Sequence, residues 1–396
     1  MSGIDVFIEL SVIIVIATLV SAVIRLMKQP LIIGYILTGI LLSPFFLNLI
    51  KSTGTIAIFS QIGVAFLLFI VGLNLSPSVI REVGKVSLIT GVGQVIFTSL
   101  IGFLISTLLG FSAIVSLYIS IALTFSSTII IMKLLSDKND LEKLYGKISV
   151  GFLLVQDVIA ILILIIISSF SQNLTVSNKL LSLTFKGLIL AILLFIVGKY
   201  ILPRLSGFFA RSQEFLFLFS IGWGLGLATL FHLAGFSIEI GALLAGVALS
   251  VSPYHYEISS KMRPLRDFFI ILFFILLGSQ LSFSNIDQYI IPAIIFSLFI
   301  LIGNPLIVLI LMGALGYNKR AGFLAGLTVA QISEISLILV ALGVKLGHLG
   351  SDVLSFVTIV GLITFAVSTY LIIYSHTLYR WFSPALKIFE RNTRKI

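Results

Sequence analysis

Residues 147–170 read KISVGFLLVQDVIAILILIIISSF. Roughly 20 apolar residues suffice to cross the hydrocarbon core of a bilayer as one helix, and this run carries a carboxylate in its middle. Asp157 stands about ten residues from either end, which at about 1.5 Å of rise per residue puts it near the bilayer midplane. A carboxylate at that depth costs at least ~2.5–3.5 kcal/mol, so it must pair, take up a proton or hold a cation. Gln156 beside it adds a neutral carbonyl oxygen and an amide donor. Adjacent helix positions point about 100° apart. Asp157 is therefore expected to be the ligand, and Gln156 to serve the helices packed around it.

The rest of the chain has the same character. Of 396 residues, 59% are hydrophobic and 10% charged, against about 25% charged in soluble domains. Lipid is the solvent such a composition requires. The formal charge of +10 does not indicate nucleic acid, because the basic residues sit in short clusters between apolar runs, as topology signals do. With no cysteine, disulfides, thiol chemistry and cysteine-bound metal are excluded. His232, His255, His348 and His376 show no paired metal-ligand spacing. No cofactor is expected.

About thirteen spanning segments can be read: 5–25, 30–49, 54–75, 86–109, 112–135, 147–170, 180–203, 213–232, 236–252, 264–281, 288–315, 318–344 and 352–379. On this count all of the 25 Lys and Arg residues except Lys51, Lys179, Lys186 and Lys345 fall on one side. The positive-inside rule makes that side cytoplasmic. The N-terminus is then outside, the C-terminus inside, and the chain is expected in the cell (inner) membrane. After residue 380 the sequence reads as a short basic cytoplasmic tail.

Thirteen spans divide into repeat one at about 5–170, a linker helix at about 180–203 and repeat two at about 213–379. A single intervening helix gives the repeats inverted topology, as in many secondary transporters. The fifth span holds Thr124-Phe-Ser126-Ser127-Thr128, and the twelfth holds Thr328-Val-Ala-Gln331-Ile-Ser333-Glu334. Corresponding polar breaks in two halves point to a binding site at the midplane. Glu334, with Gln331 and Ser333, either bonds backbone groups freed at its break or completes a cation's oxygen shell. Asn304, beside Pro305 in the eleventh span, is a candidate to cap freed carbonyls. Glu9 and Glu239 lie nearer span ends, where interfacial water solvates them.

These residues resemble the monovalent cation:proton antiporter-2 family, which includes NapA-type sodium antiporters and Kef-type potassium efflux systems. The likeness rests on Leu123-Thr-Phe-Ser-Ser-Thr128, Val155-Gln-Asp157 and Leu327-Thr-Val-Ala-Gln-Ile-Ser-Glu334. Phe66-Leu-Leu-Phe-Ile-Val-Gly-Leu73 and the Leu265-Arg-Asp-Phe-Phe stretch leading to Gly278 add to it. The resemblance implies an all-α, NhaA-like fold with crossed broken helices. It also implies a homodimer whose protomers have a dimerisation domain and a mobile core domain. By that pattern Asp157 carries the ion, Na+ or K+, while Thr124, Ser126, Ser127 and Gln331 surround the crossing. Gln156-Asp157 looks more like the Kef-type group than the acidic pair of sodium members. Asn304 stands where the family often has a basic residue, so a salt-bridge partner for Asp157 is missing. The regulatory nucleotide-binding domain of full Kef systems is not expected in this chain.

The function expected is antiport of Na+ or K+ against H+ by alternating access at Asp157, electroneutral because one acid exchanges one proton for one cation. A cation channel or uniporter would need no proton coupling, and a repeated carbonyl filter motif is not seen. A symporter of organic anions would want basic residues at the midplane, and none is seen. An intramembrane hydrolase would want a nucleophile with a base or a metal cluster, and neither His nor paired carboxylates occur mid-helix.

Overall fold

In the computed structural model the described residues are 3–74, 84–140, 143–169, 190, 194, 196–202, 208–210, 212–234, 236–281 and 286–386. All the regular elements among them are helical. In chain order they are α1 (Gly3–Leu26), α2 (Leu31–Leu42), α3 (Thr53–Leu73), α4 (Lys85–Leu108), α5 (Ala113–Ala122), α6 (Thr128–Asp137) and α7 (Leu144–Ser169). There follow a short π-helical stretch, Val197–Ile201, then α8 (Gln213–Leu233), α9 (Ile238–Leu249), α10 (His255–Ser279), α11 (Ile286–Leu298), α12 (Asn304–Ala314), α13 (Lys319–Leu327), α14 (Glu334–Lys345), α15 (Ser351–Ile373) and α16 (Ser375–Phe382). By length and composition, seven helices among the described residues are able to cross a membrane, counting α11 and α12 as one. The chain is a polytopic α-helical membrane protein. Its expected linker helix at about 180–203 falls mostly outside the described residues, as does the tail beyond residue 386.

Several boundaries move from the sequence reading for local reasons. The second span stops at Leu42, because Pro44 forces Ser43 into an extended conformation, φ −63° and ψ 162°. α10 begins at His255, not at 264, and runs straight through Pro264. Its charged first turns precede the apolar segment read at 264–281 and continue the same helix. α11 passes into α12 through a wide π-helical stretch, Phe299–Gly303, directly before Asn304-Pro305. Such a bulge accommodates a residue that cannot donate a backbone hydrogen bond. The last span ends at Ile373, and α16 begins again at Ser375.

The chain divides into two compact units. One comprises Met1–Val6, Lys51–Glu82 and Ile161–Leu276. Its core is formed by Phe66, Phe69 and Leu73 of α3 with Leu216, Phe231, Leu249, Ile258 and Met262. α3 packs closely on α9, because Gly246 lets the two backbones touch: a Cβ there would collide with the Phe69 carbonyl oxygen. Small residues at a helix interface serve this purpose in lipid, where apolar burial gives little drive for helices to associate.

The other unit comprises Phe7–Ile50, Val83–Ala160 and Leu277–Ile396. Ile131 and Leu135 of α6, Phe152 and Leu153 of α7, Val308 and Met312 of α12 and Leu324 of α13 share one core. α14 packs on α5 and on α15. At one end, Lys138 donates to the Ile372 carbonyl (2.8 Å) and to Ser375 Oγ (2.7 Å), fastening the end of α6 to the α15–α16 junction. Asp140, 1% exposed, accepts a hydrogen bond from Tyr145 and is paired with Lys143 and His376. All of these positions lie in the second unit, as does the whole candidate site.

Candidate functional site

The fifth and twelfth spans are each broken where the polar runs lie. α5 ends at Ala122, and Leu123 to Ser127 lack regular helix before α6 starts at Thr128. α13 ends at Leu327, and α14 starts at Glu334 behind the N-cap Ser333. Ser333 and Ser336 form a reciprocal capping box there, the standard way to satisfy orphan amides at a helix start. Broken helices present carbonyls at their C-terminal ends and the positive ends of their dipoles at their N-termini. Such backbone is tolerated at membrane depth only when protein or a water-filled cavity covers it.

The two breaks meet. Ser126 Oγ donates to the Val329 carbonyl across them (3.4 Å). Ser127 Oγ donates to Glu334 Oε1 (2.8 Å) and accepts from the Ile130 amide (3.2 Å). Thr128 Oγ1 donates to Asp157 Oδ2 (3.0 Å). Two successive hydroxyls at the head of α6 thus hold two carboxylates, one from α14 and one from α7. Glu334 opens α14, and Asp157, in the middle of α7, meets the first residue of α6, so each carboxylate has a helix N-terminus beside it, where negative charge is favoured. They differ in access: Glu334 is 6% exposed, whereas Asp157 is only half-buried.

The other anticipated residues are placed as follows. Gln156 is fully buried, and its Oε1 accepts from the Ser126 amide (3.1 Å). Thr124 turns back to its own helix, donating to the Ile121 carbonyl (2.8 Å). Gln331 Oε1 accepts from Ser368 of α15 (2.8 Å), while its Nε2 is buried with no hydrogen-bond partner among the described residues. Asn304 bonds neither carboxylate in the described contacts. It donates through Nδ2 to the Leu123 carbonyl (3.3 Å) and accepts from Thr98 (3.0 Å), so it caps a carbonyl freed at the first break and not one of its own helix. Gln94, Thr98 and Ser368 escaped the sequence reading. Gln94 and Thr98 share one face of α4 at i and i+4 spacing, a faint polar signal within an apolar span.

The arrangement sets a half-buried carboxylate, bonded by the Thr128 hydroxyl, beside the first break, and no group of three His, Cys, Asp or Glu side chains able to hold a metal occurs among the described residues. Carboxylate, hydroxyl and carbonyl oxygens suit hard cations. No lysine or arginine among the described residues pairs with Asp157.

Comparison with known proteins places this architecture. The chain is 26% identical over 389 residues to the K(+) efflux antiporter 4 of Arabidopsis thaliana, a match covering 95% of this chain and 66% of that protein. It is 28% identical over 291 residues to the glutathione-regulated potassium-efflux system protein KefC of Escherichia coli, covering 72% of this chain and 44% of the relative. The chain therefore spans about two thirds of the first relative and less than half of the second. Its fold matches the sodium proton antiporter MjNhaP1 of Methanocaldococcus jannaschii with a TM-score of 0.62 at 16% identity, over 94% of this chain and 98% of that one. Residues 12–373 match the model of the sodium/hydrogen exchanger transmembrane family. With its membrane helices, two broken spans and nearly full-length match, the chain belongs to the sodium/hydrogen exchanger family.

Proposed function

We propose that this chain exchanges a monovalent cation, Na+ or K+, for protons by alternating access at Asp157. The observation that carries the reading is the setting of that carboxylate: the half-buried acid at the meeting of two helix breaks, held by Thr128 and unpaired by any described basic residue. Ionised and empty, Asp157 would bring an uncompensated charge across a hydrophobic barrier, at a cost of at least ~2.5–3.5 kcal/mol. Protonated or cation-bound, it is neutral and can cross. The same penalty that forbids the empty crossing enforces one-for-one exchange, so turnover is electroneutral and runs in either direction with the two gradients. The names of the two relatives favour potassium as the cation.

The remaining features of the reading follow from this cycle. The two broken spans belong to inverted repeats, one on either side of the linker segment at about 180–203. The protein works in the cell membrane as a homodimer, N-terminus outside and C-terminus cytoplasmic, as the distribution of Lys and Arg indicates. Thr124, Ser126, Ser127, Gln331 and Ser333 shape the cation's surroundings, and Glu334 and Asn304 support the breaks. It needs no cofactor and carries out transport without chemical turnover.

Proton release tests the proposal without a membrane. Adding K+ or Na+ to the detergent-solubilised protein in weak buffer is expected to release protons saturably. Asp157→Asn, verified as folded, is expected to release none. Equal release by the variant would remove Asp157 from the cycle.

A further inference from the structure

The first break is closed by a ring of side chains, and most of that ring lies outside the cation site. The Ser126 amide donates to Gln156 Oε1 (3.1 Å), and Gln156 Nε2 donates to Gln94 Oε1 (2.7 Å). Gln94 Nε2 donates to Thr98 Oγ1 (3.1 Å), and Thr98 Oγ1 donates to Asn304 Oδ1 (3.0 Å). Asn304 Nδ2 donates to the Leu123 carbonyl (3.3 Å). Leu123 and Ser126 both lie in the break, so the ring begins on an amide and ends on a carbonyl of the same interrupted segment. All four side chains are 0% exposed.

Every bond in the ring runs head to tail. Each side chain accepts from the one before it and donates to the one after it. Reversing Gln156 would set donor against donor and acceptor against acceptor, and reversing Gln94 or Asn304 would each set one like group against another, because the Thr98 hydroxyl both donates and accepts. Linked bonds of one sense polarise each other in a low dielectric, and a half-satisfied buried network is costly. The ring is also neutral throughout. It ties α7, α4 and α12 to the break without a proton that can leave.

We propose that Gln94 is a positioning residue for transport, acting through this directed ring to set the geometry of the Leu123–Ser126 break beside Asp157. The role rests on the exchange cycle proposed above. Gln94 touches neither carboxylate; it fixes Gln156, and Gln156 fixes the Ser126 amide. The two hydroxyls that hold Glu334 and Asp157 follow directly in the chain, so a shift at Ser126 moves both.

Charge substitution distinguishes a directed ring from packing. In Gln94→Glu, a protonated side chain still accepts from Gln156 and donates to Thr98, whereas an ionised one cannot donate. Cation-coupled proton flux in proteoliposomes is therefore expected to persist at acid pH. On ionisation it should fall by on the order of tenfold or more, the size of effect a lost buried hydrogen bond produces. Gln94→Leu, similar in volume, is expected to lose flux at every pH, and Thr98→Val cuts the next link should that variant fail to fold. Hydrogen exchange at residues 123–128 gives a second readout that needs no transport. Protection there is expected to fall in Gln94→Leu and to remain in Asp157→Asn. Wild-type flux and protection in Gln94→Leu and Thr98→Val, or a Gln94→Glu pH profile identical to wild type, would overturn the proposal. A wild-type protein with no cation-coupled flux would sink the exchange cycle instead, and the exchange data alone would then decide the ring.

Discussion

Thr128 Oγ1 donates to Asp157 Oδ2 at 3.0 Å, from the first residue of the helix that resumes after the break. The contact couples the half-buried acid of the site directly to a piece of interrupted backbone. Its neighbour Ser127 makes the equivalent bond to Glu334, so both acids are positioned by one dipeptide.

Removing that hydroxyl isosterically isolates its contribution. A hydrogen bond to a charged group is worth about 1.5–3 kcal/mol. Thr128→Val is expected to raise the cation concentration for half-maximal exchange by on the order of tenfold, with the fold intact. Thr128→Ser is expected to stay close to wild type. Concentration series in proteoliposomes check this, and an unchanged affinity in the valine variant would show that the bond contributes nothing to binding.

Glu334 is read as support for the break, so its hydrogen bond matters and its charge does not. Glu334→Gln keeps an acceptor for Ser127 and is expected to retain exchange. Glu334→Ala leaves the Ser127 hydroxyl buried without this acceptor and should lose about 1–3 kcal/mol of stability. Thermal unfolding in detergent alongside flux separates the two. If Glu334→Gln silenced exchange in a stable protein, the residue would be a cation ligand.

How much of this was legible in the sequence depends on the scale of the signal. Asp157 in an apolar run and the polar stretches at Thr124–Thr128 and Thr328–Glu334 stood out because lipid penalises each polar group, and the breaks lie where they were read. The partner assignments did not follow. Asn304 reads as a cap for freed carbonyls beside Pro305, but which carbonyl it takes, that of Leu123 on another span, is set by tertiary contact. Gln94 and Thr98 were overlooked, because two polar groups in a 24-residue helix register little and their meaning lies in contacts 62 and 206 positions distant. α10 was cut short since Glu257, Lys261 and Arg263 look unlike a span, although charge excludes residues from lipid and not from helix.

The buried Asp140 makes the attachment of α16 sensitive to acid. Burial alone would raise its pKa, but hydrogen bonds from Lys143 and Tyr145 and the nearby lysine charges outweigh this and hold it below the ordinary carboxylate value. His376, beside it, is held below the usual histidine value by burial and by Lys138. A lowered folded-state pKa gives stability that is present above the unfolded value and lost as pH falls through the folded one. Both groups therefore favour the folded state at neutral pH, His376 ceasing to do so first on acidification. Asp140→Asn is expected to lower the Tm by a few degrees at neutral pH, with the gap to wild type closing below the carboxylate range. A gap that persisted unchanged in acid would show that the charge is not what matters.

Glycine placement in the other unit gives a prediction of opposite signs. Gly246→Ala drives a Cβ into the Phe69 carbonyl and should cost about 1–3 kcal/mol by separating α3 from α9. Gly222→Ala on α8 meets no atom within 4 Å, and replacing glycine within a helix is worth about 0.5–1 kcal/mol in its favour. Thermal unfolding should thus move down for the first and hold or rise for the second. Equal shifts would contradict the close approach of α3 and α9.

The most direct test of exchange at Asp157 is dissipation of an imposed proton gradient by added cation in proteoliposomes, with K+ and Na+ compared and Asp157→Asn beside wild type. Dissipation by at least one cation, unaffected by clamping the membrane potential and absent in the folded variant, is the predicted result. Cation-driven proton flux that survives in Asp157→Asn would contradict it.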